Sequence, residues 1–114
     1  MKNLNCIKHK ISILYYAITT QMTRCVALEL APKHIRVNSV NPGVIVTDIH
    51  KRGGMDETAY AAFLERARTT HALGRPGTAQ EVAEAVAFLA SDQAAFCTGV
   101  SLPVDGGRHA MCPR

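Results

Sequence analysis

No run of apolar residues in this chain reaches the roughly 18 positions that a bilayer-crossing helix needs, so the sequence offers no membrane span. No Cys-x-x-Cys pair occurs. The cysteines stand apart at positions 6, 25, 97 and 112, a spacing that fits neither a zinc site nor a disulfide framework. Isolated thiols of this kind point to a reducing, intracellular compartment, read here as cytoplasmic. The histidines at 9, 34, 50, 71 and 109 have no partner four residues away, the spacing of a helical metal site, and no metal is assigned. A Gly-x-Gly-x-x-Gly phosphate turn is absent too. Finally, the first 28 residues contain no acid at all.

That last absence concentrates the charge. Lys2, Lys8, Lys10 and Arg24 carry the entire formal charge of +4, while the nine remaining basic residues balance all nine acids. An acid-poor basic start resembles a transit peptide, which leaves a mitochondrial address as the alternative to the cytoplasmic one. Against it, arginine is nearly missing and no small-residue cleavage site stands out. The same few charges, with no supporting motif, do not make a nucleic-acid arm.

What is present reads as one modest domain of 114 residues, 47% hydrophobic and 19% charged. From about residue 14 to 31, Ile18, Met22, Cys25, Val26 and Leu30 recur at helical spacing, and Pro32 marks the end. Residues 35–40 hold β-branched Ile35, Val37 and Val40 and stop at Asn41, Pro42 and Gly43, which predicts a strand running into a turn. Residues 56 to about 68 predict a surface helix. Thr78 and Glu81 have the spacing of a capping box, opening a helix whose apolar side is Val82, Ala85, Val86 and Leu89. Residues 100–104 predict a second strand. The Gly74 and Gly77 pair reads as a tight turn and not as a phosphate cradle. Alternating helices and strands imply an α/β protein with a parallel sheet. Two short strands cannot cover the apolar stripes of three or four helices, so the sheet is expected to be incomplete.

Three stretches in order, "RVNSVNPGVIVTDI", "LGRPGTAQEVAEAVAFLASD" and "TGVSLPVDGG", carry a resemblance. Between about residues 21 and 107 the chain is similar to the C-terminal half of short-chain dehydrogenases/reductases (SDR), with the flavour of 3-oxoacyl-acyl-carrier-protein reductases and carbonyl reductases. The resemblance implies the C-terminal part of a Rossmann-type doubly wound parallel sheet. It also implies ancestry in enzymes that move a hydride between NAD or NADP and a carbonyl or alcohol. In such enzymes Pro42, Gly43, Val44, Ile45 and Thr47 would line the nicotinamide side of the cofactor. The physical chemistry of the segment agrees: Pro42 and Gly43 turn the backbone at the carboxyl end of a strand, where ligands sit in open α/β sheets. There a free amide and carbonyl at Ile45 would grip a carboxamide. Pro-Gly taken alone predicts only a plain turn. Residues 48 to about 73 would be the cover over the substrate, hinged at Gly53 and Gly54, or else an exposed helical insertion.

The catalytic pair implied by the resemblance is a tyrosine followed four residues later by a lysine. The ammonium lowers the phenol pKa from its ordinary value near 10. Counting back from "QMTRCVALELA", the tyrosine position falls on Ser12 and the lysine position on Tyr16. Shifting the register does not help, because Tyr15 precedes Thr19, Tyr16 precedes Thr20, and no lysine occurs between Lys10 and Lys33. Arg24 lies roughly 12 Å along the helix from Tyr16. The glycine-rich turn and the remaining catalytic groups of the family fall upstream of this pair. Residues 1–16 therefore read as a divergent basic segment joined to residues 17–114, the C-terminal half of an SDR domain.

Three readings follow. In the first the chain is a truncated SDR-like protein, without activity alone, that forms a homo-oligomer or associates with full-length relatives through its long helix and last strand. In the second it is an active NAD(P)-dependent reductase that uses a partner chain or takes Tyr15 or Tyr16 as the acid. In the third it is a basic interaction module. Uncovered helix stripes and an open strand edge favour aggregation or pairing. The purified chain is accordingly expected to elute above monomer mass in size-exclusion chromatography with light scattering. A monodisperse monomer with one sharp, cooperative melt would count against that expectation.

Overall fold

The computed structural model describes the backbone of residues 2–111 and the side chains of residues 16–111. The protein is α/β, and it forms two compact units: Met1–Ser39 with Ala95–Ser101, and Val40–Ala94 with Leu102–Arg114. Among the described residues no helix is long and apolar enough to cross a membrane.

The first unit is built on helix α1 (Lys2–Leu30), one continuous helix of 29 residues. The sequence expectation of a helix from about residue 14 corresponds to its second half. The buried line of that half is Thr23, 6% exposed, and Ala27, 1% exposed, one turn apart. Ile18 and Met22 are more than half exposed, Cys25 is exposed, and Val26 and Leu30 are half-buried. The apolar stripe legible in the sequence is thus only partly the buried face. The reason is steric: a Cβ on Gly99 would lie 3.6 Å from Ala27 Cβ and 4.0 Å from Arg24 Cα, so backbone packs directly on the small side of the helix. Thr23 is accommodated because its Oγ1 donates to Thr19 O at 2.9 Å. The helix ends as Pro32 predicts, in a 3-10 turn over Ala31–Lys33. His34 follows at φ +58°, and its N–H donates to Ala31 O at 2.9 Å.

Beyond that stop the predicted strand is displaced. Strand β1 is Ser39–Pro42, not residues 35–40. Asn38 explains the shift. Its Nδ2 donates to Cys97 O at 2.8 Å and its Oδ1 accepts from Val100 N–H at 3.0 Å, so one side chain does the work of the ladder. Val37 N–H is likewise taken by Thr98 Oγ1 at 3.1 Å. A regular ladder begins only at Ser39, whose N–H donates to Val100 O at 2.9 Å. Four residues on, Gly43 N–H donates to Val104 O at 3.0 Å. Equal steps along both chains make β1 parallel to β4 (Ser101–Val104), the two forming one two-stranded sheet.

The second unit adds a further parallel pair absent from the sequence expectation. Strand β2 (Ile45–Val46) pairs with β3 (Gly77–Thr78), with Ile45 opposite Gly77 and Val46 opposite Thr78. Between them run a one-turn helix α2 (Ile49–Arg52) and the longer α3 (Glu57–Thr70). Asp56 caps α3 by accepting Ala59 N–H at 2.8 Å, and Tyr60 and Ala67 are its buried residues. Helix α4 (Ala79–Ala90) opens on the predicted capping box: Thr78 Oγ1 accepts Glu81 N–H at 3.3 Å, and Glu81 Oε2 accepts Thr78 N–H at 2.8 Å. Leu89 is buried on α4, Val82 and Ala85 are half-buried, and Val86, expected on the apolar side, is 47% exposed. Gly74 closes the predicted turn at φ +69°, whereas Gly77 belongs to β3.

The capping box is local enough to test alone. Thr78→Ala should lower stability by about 1 kcal/mol, read as a lower urea midpoint with an unchanged m-value, while Thr78→Asp should keep most of it.

Candidate functional site

The five residues singled out around the Pro-Gly bend form one continuous turn from the end of β1 through β2. Pro42 closes β1, and Val44, 8% exposed, is the buried centre of the bend. Val44 is held at both of its backbone polar groups. Its N–H donates to His71 Nε2 at 3.0 Å, and its C=O accepts Gly77 N–H at 2.8 Å. In a parallel pair alternate residues address the partner strand. With Val44 and Val46 addressing β3, the N–H and C=O of Ile45 face the opposite side. Thr47 C=O accepts the Tyr60 hydroxyl at 3.0 Å, tying the far end of the bend to α3.

Glycines stand at two close contacts of this geometry. A Cβ on Gly43 would lie 2.7 Å from His71 Nε2 and 2.9 Å from Asp105 Cα, distances that real Cβ atoms do not tolerate. A Cβ on Gly77 would lie 2.8 Å from Ile45 Cδ1. Beside the bend opens a cavity of about 260 Å³, lined by Val44, Ile45, His71, Pro103 and Asp105 among others.

Two polar pairs border that cavity. Arg75 holds Glu81 through two contacts, at 2.6 and 3.0 Å. The guanidinium, and after it the Thr78 N–H, bring the Glu81 carboxyl down to about 2, and the same pairing raises Arg75. Asp105 accepts the N–H of Gly107 at 3.0 Å and of His109 at 2.8 Å, and the His109 ring sits 3.0 Å away. Burial pushes the Asp105 carboxyl up, but the hydrogen bonds from the His109 ring, its amide and the Gly107 amide outweigh it, and the net direction is down.

The segment over residues 48–73 is helical. Lys51 Nζ lies 2.7 Å from Glu57 and 5.0 Å from the Tyr60 ring centroid, and the His50 and Phe63 rings are 4.6 Å apart. Gly54 sits between its two helices at φ +92°. On α1, Tyr16 is 47% exposed, and Thr20, four residues later, has a buried Oγ1 with no hydrogen-bond partner. The side chains of Ser12 and Tyr15 lie outside the described residues.

The family described as enoyl-(acyl carrier protein) reductase matches residues 16–109. The chain is 40% identical over 99 residues to L-xylulose reductase of Caenorhabditis elegans, which covers 87% of this chain and 38% of that protein. It is 42% identical over 87 residues to 3-oxoacyl-[acyl-carrier-protein] reductase FabG of Pseudomonas aeruginosa, covering 76% and 33%. This chain belongs to the short-chain dehydrogenase/reductase family. Solved structures share the fold over most of this chain. One from Caenorhabditis elegans, determined with cofactor, superposes with a TM-score of 0.77 at 34% identity, over 87% of this chain and 40% of that one. Aldohexose dehydrogenase of Thermoplasma acidophilum gives 0.75 at 36% identity, over 86% and 40%. The chain spans about a third of the length of these two curated relatives.

His71 was not legible as a site residue. A histidine between Thr70 and Ala72 has no motif around it, and only the tertiary contact with Val44 shows its use. Asp105 was visible only as part of a glycine turn.

Glu81 supplies a pH test. Its folded pKa lies below the unfolded value near 4.5, so its ion pair stabilises the protein fully above pH 4.5, and that contribution is lost as pH falls from there toward about 2. Over that window the melting temperature of Glu81→Gln should fall less steeply than that of the unaltered chain. Parallel curves would remove the pair from the stability of α4.

Proposed function

We propose that this chain is the carboxamide-gripping portion of an NAD(P)(H)-dependent carbonyl or alcohol oxidoreductase. It supplies the bend that meets the nicotinamide end of the cofactor but not the hydride-transfer pair. The observation that carries the reading is the orientation of Ile45: with both polar groups of Val44 engaged, the Ile45 N–H and C=O are turned away from β3. A peptide donor and acceptor side by side match the amide donor and carbonyl acceptor of a nicotinamide carboxamide. The residues around the bend fit that group, since Gly43 lets His71 close on the bend and hold it in this orientation, and Thr47 adds a hydroxyl at its end. NAD or NADP, when bound, supplies the hydride. The chain's own contribution is to orient the carboxamide and to shield it with the α2 and α3 segment.

Catalysis by these 114 residues alone is not part of the proposal. No lysine follows Tyr15 or Tyr16 at the required step, so the catalytic pair of the family is not present in this sequence. Without a Gly-x-Gly-x-x-Gly turn, the chain also has no grip on the pyrophosphate. Both must come from sequence outside this chain or from a second, different polypeptide, which makes association with a full-length relative the working form for catalysis; a homo-oligomer of this chain would supply neither. The family match begins at residue 16, which supports treating residues 1–16 as a segment apart. We place the protein in the cytoplasm on its scattered thiols.

The alternative, an active reductase with Tyr15 or Tyr16 as the acid, makes the opposite forecast in a fluorescence titration with NADH and NADPH. We expect no saturation of the isolated chain up to about 1 mM cofactor, a binding free energy weaker than about −4 kcal/mol, and no turnover of carbonyl substrates. Tight binding together with turnover would establish the alternative.

A further inference from the structure

We propose that His71 is the positioning residue of the Pro-Gly bend, and that it acts through one tautomer. The consequence for cofactor binding rests on the function proposed above, while the clamp itself does not. The imidazole is 3% exposed. Its Nε2 accepts the Val44 N–H at 3.0 Å, so that nitrogen carries no proton and the ring hydrogen sits on Nδ1. Nδ1 in turn lies 2.9 Å from Ala67 O and 3.1 Å from Thr70 Oγ1. The Thr70 hydroxyl is itself directed to Arg66 O at 3.3 Å, leaving its oxygen to accept. Every hydrogen in this chain of contacts therefore has one direction. The last turn of α3 donates nothing to the bend directly. It sets the tautomer, and the tautomer presents a bare nitrogen to Val44.

Three features make the contact a clamp and not ordinary packing. The His71 ring lies where a Cβ of residue 43 would be, so the bend can approach only because Gly43 has none. The His71 backbone is fixed as well: its N–H donates to Ala67 O at 3.1 Å and its C=O accepts Gly74 N–H at 2.9 Å. From the other side Gly77 holds Val44 O at 2.8 Å. Remove the imidazole acceptor and Val44 is held at one group only. The Gly43–Val44 peptide is then released while the Val44–Ile45 peptide stays anchored at Gly77, and rotation about the Val44 N–Cα bond loosens the tilt of the plane that carries the Ile45 N–H.

Two substitutions separate this role from simple filling of space. His71→Leu keeps an apolar side chain of similar bulk and has no acceptor. His71→Gln can bring a carbonyl oxygen to the Nε2 position. In the full chain, the Val44 amide should exchange with solvent about tenfold faster in His71→Leu, the scale of one lost hydrogen bond, and His71→Gln should restore most of the protection. Equal Val44 exchange in the unaltered chain and in His71→Leu would overturn the clamp. Should His71→Leu fail to fold, nitrogen NMR of the unaltered chain still decides: the ring must show the Nδ1-protonated tautomer, and a proton on Nε2 would end the proposal. NADH added to the unaltered chain well above about 1 mM, where the weak binding expected of this chain alone begins to populate the bend, should shift the Ile45 amide resonance, and less so in His71→Leu. If Val44 behaves as stated and Ile45 does not respond to NADH, the clamp stands and the cofactor reading falls.

Discussion

The backbone of a single residue, Val44, governs the geometry of the second unit. Val44 donates to a histidine that follows α3 and accepts from a glycine that precedes α4, so its two hydrogen bonds join segments 27 and 33 residues further along the chain. Leaving either group unpaired in a buried site would cost about 1–3 kcal/mol. That cost makes the orientation of the bend stiff. Glycine at 43 is the steric condition for it, because a methyl there would collide with the imidazole nitrogen that holds the bend, whereas a methyl at 77 would press on the end of the Ile45 side chain.

From that constraint the direction of the Ile45 N–H and C=O follows: both face away from β3. The rest of the unit buttresses the arrangement. Tyr60 ties Thr47 to α3, and Gly106 C=O accepts the Leu73 N–H at 3.0 Å, fixing the chain that carries His71 against the turn after β4. Arg75 and Glu81 secure the start of α4 just past β3. These contacts are short and numerous, and they surround the one stretch that the family resemblance singles out. On α1 the tyrosine and lysine positions implied by the resemblance fall on Ser12 and Tyr16, and the residue four beyond Tyr16 is Thr20.

Legibility divided along the range of the interactions. The capping box at Thr78 and Glu81 was readable because both partners lie three residues apart and act through backbone they themselves carry. Pro32 was readable as a stop for the same reason, since a ring on the backbone nitrogen excludes continuation regardless of surroundings. The strand over residues 35–40 was misplaced because β-branched residues favour extended backbone, while the pairing was captured by the Asn38 side chain, whose partners Cys97 and Val100 lie some sixty positions away. On α1 the largest apolar residues suggested the buried side. The side chosen was the one with small residues, where Gly99 brings backbone against Ala27. Strands β2 and β3, of two residues each, are too short to leave any periodic trace.

The amino-acid order by itself determined the family, the parallel α/β class, the caps and stops of the helices, and the stretch from Pro42 to Thr47 as the place to look. It determined, too, that no lysine stands four residues after a tyrosine near the start of the chain. Each of these rests on chemistry carried by neighbouring residues. Only the tertiary structure decided which nitrogen of His71 faces Val44, which face of α1 is covered, and which way Ile45 points. Those outcomes depend on atoms brought together from distant positions, where one missing Cβ or one filled lone pair selects among arrangements that local preference leaves equal.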